Sequence, residues 1–391
     1  MKKVLILNGS FCEQPLIETA KQMGYYVIST GNMPELIGHK YSDEYINADY
    51  SDKETVLNIV RENKIDGIIS CANDFGVLTA AYVAEKMGWK GHDTYQNAKI
   101  LHHKDLFKTF CRENNIPSVK SEIFTDLNAA LKYVETAEYP IIIKPNDLTG
   151  GKGISRADSI AEAKKCVESA FSRSRAKVVL VEPFIIGTQH TFVGFIINKK
   201  VYVSVGCNCY SVINPYLIQT ETFPADDFDS DRIQLTKIEE NIAEKLNLAD
   251  GIFALQYMKQ DGKLYVIETM RRPFGNQFLT LCRLTSGFQW EKAQILAQTN
   301  QDPGLPVNEP EMKFCGHHGI MSTKNGKLIS YEIDPGFEKH IFNKIVMKTP
   351  GETITDYLNE RIAYLYYKYE DLDEMNFNAK HFVEKVKIKV L

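Results

Sequence analysis

Two apolar runs that each end in a charge constrain this chain most. Ile141-Ile142-Ile143-Lys144-Pro145 reads as a buried strand that closes on a lysine, and the loop Thr149-Gly150-Gly151-Lys152-Gly153 follows it. Far downstream, Val266-Ile267-Glu268-Thr269-Met270-Arg271-Arg272-Pro273 reads as a strand ending in a carboxylate, with an arginine four residues on. A lysine at the end of a buried strand needs a partner. A lysine, a flexible glycine lid and a terminal carboxylate together suit a magnesium nucleotide. Phosphates need cations, close backbone approach needs glycine, and the metal needs hard oxygen ligands.

The chain has 391 residues, enough for two or three domains with their own cores. Its formal net charge of −4 argues against the basic field of a nucleic-acid binder. The eight cysteines are Cys12, Cys71, Cys111, Cys166, Cys207, Cys209, Cys282 and Cys315, and none forms a CxxC pair. Cys207-Asn208-Cys209 is one residue too tight for the usual zinc hairpin, so free buried thiols in a reducing compartment are expected. The apolar run Val4–Leu7 stops at Asn8, too short for a signal sequence, and reads as a first strand. No apolar run approaches the roughly 20 residues that span a bilayer. A cytoplasmic protein is expected, without membrane or nucleic-acid partners.

Strand and helix signals alternate at the start. Strands are expected at Val4–Leu7, Tyr26–Ser29 and Gly67–Ser70, with helices up to Gly24, over Thr55–Glu62 and over Gly76–Met87. That order predicts a doubly wound parallel sheet, an α/β domain at about 1–100. Asn8-Gly9-Ser10 is not GxGxxG, so no dinucleotide site is expected there. From Lys104 the texture becomes α+β. Helices are expected at Lys104–Asn114, Leu127–Thr136, Ser159–Ala170 and Ile233–Leu246. Strands are expected at Pro140–Lys144, Val178–Glu182, Thr191–Ile197, Val201–Tyr210, Phe253–Lys259 and Leu264–Met270. Asp261-Gly262 marks a hairpin turn. In the last segment, strands are expected at Gly319–Thr323 and Leu328–Glu332, a helix at Ala379–Val386, and a final strand to Leu391.

Lys104, Ile143-Lys144-Pro145, the loop 149–153, Val181-Glu182-Pro183-Phe184-Ile185 and Glu268…Arg272 occur in an order and spacing that resembles the ATP-grasp superfamily. The branch it looks most like holds biotin carboxylase, the large subunit of carbamoyl-phosphate synthetase and small carboxylate–amine ligases. The resemblance implies a preceding α/β domain at 1–100, an ATP-grasp domain at 101–300 with a lid lobe at about 120–190, and a C-terminal α+β lobe at 301–391 that completes the grasp and substrate region. It implies that Lys104 and Lys144 approach the nucleotide phosphates and that Gly150, Gly151, Lys152 and Gly153 close over them. Glu182, Pro183 and Ile185 would form the adenine hinge, with Glu182 facing base or ribose, and Gln189 and His190 would stand at the ribose. Arg272 would hold an acyl phosphate or substrate carboxylate, with Lys144 and Glu268 completing the catalytic set.

The expected metal site departs from the family pattern. Glu268 matches the second carboxylate, but Gln256 stands where relatives carry the first and Met270 where they carry an asparagine. Gln256 offers one neutral oxygen, and a thioether suits magnesium poorly. One tightly held Mg2+ is therefore expected instead of two, unless Asp261 or Glu221 compensates. One further residue and two pairs have plainer readings. Arg271 reads as a structural ion-pair residue, Asn73-Asp74 as a helix cap, and His317-His318 as strand neighbours that point to opposite faces and cannot chelate together.

The activity implied is an ADP-forming ligase, in which ATP activates a small-molecule carboxylate as an acyl phosphate and an amine attacks it. A bicarbonate-activating enzyme and a nucleotide-binding module without turnover are the alternatives. The C-terminal segment and the loop Asn208–Phe223 are expected to choose the substrates, and relatives suggest a homodimer.

Overall fold

The computed structural model describes residues 1–148 and 150–391. Thr149 of the glycine loop lies outside the described residues.

The first sheet is parallel throughout, in the order Glu44–Asn47, Tyr26–Gly31, Lys3–Leu7, Gly67–Ile69. The run Val4-Leu5-Ile6-Leu7 is apolar at every position because both faces are covered. Val4 and Ile6 pack with Ile17 and Ala20 of the helix Gln14–Gln22. Leu5 and Leu7 pack with Val56, Val60 and Val83 beneath the helices Lys53–Glu62 and Asp74–Met87. Asp52 caps the second of these helices and Asn73 the third, and Gly88 ends the third in the left-handed region. The short strand Glu44–Asn47 and the helix Tyr95–His102 carry too few apolar residues to stand out in the sequence.

The centre of the molecule is an eight-stranded antiparallel sheet. Its order is Lys263–Met270, Gly251–Gln260, Thr188–Ile197, Lys200–Tyr210, Thr220–Phe223, Phe314–Ile320, Ala363–Tyr369, Ile341–Val346. Alternation divides its residues between two cores. Phe192, Ile196, Phe253, Leu255 and Tyr257 face the helix Phe228–Lys245. Val193, Phe195, Val205 and Ala254 face Phe278, Leu281 and Trp290 of the helices Phe278–Ser286 and Trp290–Gln298. A separate antiparallel sheet, Glu122–Phe124, Val179–Pro183, Ile141–Pro145, Ser155–Ala157, packs under the helices Leu127–Val134 and Ile160–Arg173. These elements form a lobe that faces the central sheet.

Two C-terminal expectations need correction. The helix is at Leu372–Ala379, not Ala379–Val386. Asp371 caps it, accepting from Glu374 N at 2.7 Å, and acidic residues fill its first turn. Val386 instead opens the strand Val386–Val390, where Lys387 and Lys389 alternate with Val386, Ile388 and Val390 as fits an edge. The strand expected at Gly319–Thr323 is Phe314–Ile320. Its glycines hid it. A Cβ on Gly316 would lie 2.1 Å from the Glu221 carbonyl oxygen, so glycine is what admits the neighbouring strand.

Candidate active site

Between the lid lobe and the central sheet runs a cleft of about 610 Å3. Lys104, Lys144, Gly150, Gly151, Glu182, Pro183, Ile185, Gln189, Gln256, Glu268 and Arg272 all border it. Residues from five separate stretches of sequence thus meet at one place. Six cationic side chains (Lys104, Lys108, Lys144, Arg156, Arg272, Arg361) stand against four acidic ones (Asp74, Glu182, Glu221, Glu268), an excess that suits an anion.

Lys144 closes its strand as expected, and its Nζ donates to Glu182 Oε2 at 2.6 Å. Glu182 sits opposite on the paired strand, where Ile142 faces it directly. Its other oxygen accepts from Ser121, and Lys108 Nζ lies 3.6 Å away. Burial alone would raise this carboxyl, yet Lys108 and Lys144 together hold it at about 2. Glu182 borders the cleft, and its oxygens engage Lys144, Ser121 and Lys108, so it also orients Lys144. Lys108 was missed in the sequence. It stands four residues after Lys104 on the helix Lys104–Glu113, hence on the same face, which is the signal that could have found it. Its Nζ also donates to Ser118 Oγ at 2.8 Å and to the Val266 carbonyl at 3.2 Å, and burial lowers its pKa. Lys104 Nζ donates to the Leu148 carbonyl at 2.7 Å, beside the glycine loop.

In that loop Gly151 has φ +75°, and a Cβ there would lie 2.3 Å from the Tyr216 carbonyl oxygen. Lys152 is exposed, and neither it nor Gly153 borders the cleft. Tyr216 meets the lid a second time, its hydroxyl accepting from Arg156 N at 2.8 Å. Pro183 and Ile185 also border the cleft.

Gln189 borders the cleft but His190 does not, which corrects the second expected ribose residue. Successive strand residues face opposite ways. His190 is 2% exposed on the other face of the sheet, stacked on Tyr257 with ring centroids 5.2 Å apart, and its Nε2 is 2.7 Å from Thr188 Oγ1.

Gln256 and Glu268 are direct cross-strand partners. The next pair is Tyr257 with Val266, so Ile267 is an extra residue in a bulge beside them, and both Ile267 and Glu268 reach the cleft. Their two side-chain oxygens suit one hard cation shared with phosphates. Met270 is nearly buried next to them. Asp261 lies in the exposed hairpin turn, away from the cleft. Glu221 borders the cleft, but its Oε2 is held by Asn276 Nδ2 at 2.9 Å and by His317 Nε2. Its Oε1 is turned toward the sulfurs of Cys207 and Cys209.

Arg272 Nε donates to Asp74 Oδ1 at 2.5 Å, and its Nη1 to the Pro273 carbonyl at 3.1 Å. Asp74 also meets His102 Nδ1 at 3.0 Å. Burial would raise Asp74, but Arg272 and His102 outweigh it and hold its carboxyl well below the usual range. Asn73 is the helix cap that was expected, and Asp74 beside it ties the parallel-sheet domain to the cleft. Arg271 points inward to Asp93 (2.8 Å) and the Ile252 carbonyl (2.7 Å), a structural role. His317 and His318 do face opposite ways: His318 pairs with Thr220 Oγ1 at 2.7 Å. Arg361, Tyr364, Leu217 and Ile218 also border the cleft. Arg361 donates to the carbonyls of Asn359 and Ile218, both at 3.0 Å, and its buried Nε has no partner among the described residues.

Comparison with known proteins agrees with this geometry. The profile of the family described as "Phosphoribosylglycinamide synthetase, ATP-grasp (A) domain" matches residues 102–213. The carbamoyl phosphate synthase large chain of Clostridium acetobutylicum is 24% identical over 330 residues, covering 80% of this chain. The chain spans only 28% of that relative's length. Two solved structures are similar over 100% of this chain. Phosphoribosylglycinamide synthetase from Anaerococcus prevotii has a TM-score of 0.77 at 19% identity, with 100% of it covered. L-amino acid ligase from Bacillus licheniformis has a TM-score of 0.81 at 16% identity, with 99% covered. Among the described residues no helix is long and apolar enough to cross a membrane. The parallel N-terminal sheet, the lid lobe and the central antiparallel sheet thus have the fold of these solved structures, and residues 102–213 resemble the ATP-grasp domain family.

Proposed function

We propose that the protein is an ATP-dependent, ADP-forming carboxylate–amine ligase. The observation that carries the reading is the meeting of Lys104, Lys144 and Glu268, remote in sequence, on one cleft between two lobes. The Pro183 carbonyl would accept from the adenine amine and the Ile185 N–H would donate to the ring. Lys104 and Lys144 would contact the phosphates as point charges, which suits a compact ammonium. Lys104 would exchange the Leu148 carbonyl for a phosphate oxygen. Glu268 and Gln256 would hold Mg2+, which would supply positive charge against the phosphates.

The reaction moves the γ-phosphoryl group of ATP to a substrate carboxylate, giving ADP and an acyl phosphate. An amine then attacks the acyl carbon, and inorganic phosphate leaves as the amide forms. The side chains do no covalent work. They position the reactants and balance charge on the transferring group. Arg272 presents a guanidinium, a planar partner for a carboxylate or acyl phosphate. The acyl phosphate is sensitive to water, so the glycine loop and lid close over it.

Gln256 and Met270 favour a second reading, a nucleotide-binding module without turnover. Incubation with ATP, Mg2+ and pools of amino acids and small carboxylates, followed by ADP assay and mass spectrometry of products, separates the two. An adduct that appears in step with ADP supports the ligase. ATP binding without ADP release across the whole panel supports the module.

A further inference from the structure

We propose that Cys207, Cys209 and Glu221 form a binding site for a thiophilic divalent cation, of the Zn2+ class, distinct from the Glu268 position. Cys207 and Cys209 are two residues apart on the strand Lys200–Tyr210 and therefore share a face. Cys209 lies directly across from Glu221 on the strand Thr220–Phe223. The two sulfurs are 3.9 Å apart, and Glu221 Oε1 is 3.8 Å from one and 3.9 Å from the other. All three residues are at least nine-tenths buried.

That triangle has the size a metal requires. Tetrahedral zinc with Zn–S of about 2.3 Å and Zn–O of about 2.0–2.2 Å sets its ligand atoms roughly 3.5–3.8 Å apart. The cluster needs to contract by only a few tenths of an ångström. The carboxylate is already oriented from behind. Asn276 and His317 hold Oε2, which leaves Oε1 to the two sulfurs, and ligating carboxylates are commonly fixed this way. Buried polar capacity remains around it: Asn276 Oδ1 and His317 Nδ1 have no partner among the described residues. Glu221 borders the cleft, so a water can reach the fourth position.

A disulfide accounts for the pair less well. Residues i and i+2 of an extended strand have Cα atoms about 6.6 Å apart, at the long edge of the range a disulfide tolerates. Two thiols sharing one buried carboxylate is the plain alternative. It differs in charge, because a bound cation requires both sulfurs as thiolates and binding releases their two protons to solvent.

The test uses the whole purified protein and no nucleotide, so its outcome is independent of the ligase reading. The metal-free protein is titrated with Co2+ in weak buffer, while near-ultraviolet absorbance and proton release are followed. The expected result is an intense sulfur-to-cobalt band that saturates at one equivalent, with about two protons released. Zn2+ should abolish the band at one equivalent, and excess Mg2+ should leave it. Cys207→Ser and Cys209→Ser should each weaken or remove it, whereas Cys166→Ser, outside the cluster, should not. Absence of the band in the wild-type protein overturns the proposal, as does a band that survives both cluster substitutions. The wild-type titration decides even where a variant fails to fold.

Discussion

Replacing Glu182 with glutamine removes the one negative charge that Lys144 and Lys108 share. Glu182 is 1% exposed, so solvent screening is slight. Burial pushes its carboxyl up, and the two lysines bring it from an ordinary 4.5 to about 2. At about 1.4 kcal/mol per pKa unit, that depression corresponds to roughly 3 kcal/mol of stability at neutral pH. A carboxyl lowered on folding stabilises above its unfolded pKa. Its contribution is present above about pH 4.5 and fades as pH falls toward 2. In Glu182→Gln the two ammonium groups face each other without a counter-charge. Lys108, whose pKa burial already lowers, then loses its proton more readily in the folded state than in the unfolded state. The variant's stability should therefore climb as pH rises from neutral toward about 10. Urea midpoints of wild type and variant, taken at a series of pH values, measure this. A chain with several cores need not unfold in one step, so the difference between the proteins is followed at the transition of the lid. The gap should be about 3 kcal/mol at pH 7 and narrow on both the acid and the alkaline side. Adding Lys108→Met should recover part of it, because one uncompensated charge is then gone. A gap that stays constant with pH, or no gap at all, would refute the electrostatic account.

Three further outcomes follow from the geometry. Glu268→Ala should lower ADP formation by roughly 100-fold or more while leaving the far-ultraviolet circular dichroism unchanged; turnover equal to wild type would remove Glu268 from the site. Gly151→Ala puts a Cβ against the Tyr216 carbonyl at a backbone angle that alanine rarely adopts. It should cut kcat about tenfold or more with a smaller effect on the Kd for ATP, and stopped-flow nucleotide binding beside steady-state rates checks the split. His190→Phe should leave the Kd for ATP within about twofold, since His190 stacks on Tyr257 on the far side of the sheet, while Gln189→Ala should weaken it by more; isothermal titration calorimetry of both decides.

The parts of this molecule that were legible in the sequence are those with a strong local signal. The apolar run Val4–Leu7 announced a strand covered on both faces, and Asp261-Gly262 announced a hairpin, where both residues indeed have positive φ (50° and 72°). The strand ends at Lys144 and Glu268 announced a shared site because a charge there needs a partner. What stayed hidden depends on contacts between distant segments. No local pattern says that Glu182 is engaged by Lys144, Lys108 and Ser121, or that Asp74 of the parallel-sheet domain meets Arg272. His190 was misplaced for a different reason. Its neighbour Gln189 satisfied the same spacing, and only the facing of the strand, a period of two, separates them. The glycine-rich strand Phe314–Ile320 gave a weak signal because its pairing rests on missing side chains.

These hidden contacts share a pattern that bears on how the cleft works. Two of the cations proposed for the phosphates and the acyl group are each held by a carboxylate: Lys144 by the buried Glu182, and Arg272 by the half-buried Asp74. Holding a charge in place before the substrate arrives removes the cost of reorganising it during the reaction, which is where enzyme electrostatics gains over water. The need for such fixed cations is greater here than in a site with two metal-binding carboxylates. Gln256 contributes no charge, Met270 offers no hard oxygen, and Glu221 is committed to Asn276 and His317. In the proposed reaction, one metal ion in place of two would leave more of the negative charge on the transferring phosphoryl group to protein cations. Under the proposed function, the departures at Gln256 and Met270 and the pairing of Lys144 and Arg272 would be two sides of one charge balance, in which held ammonium and guanidinium groups carry part of what a second metal ion would otherwise carry.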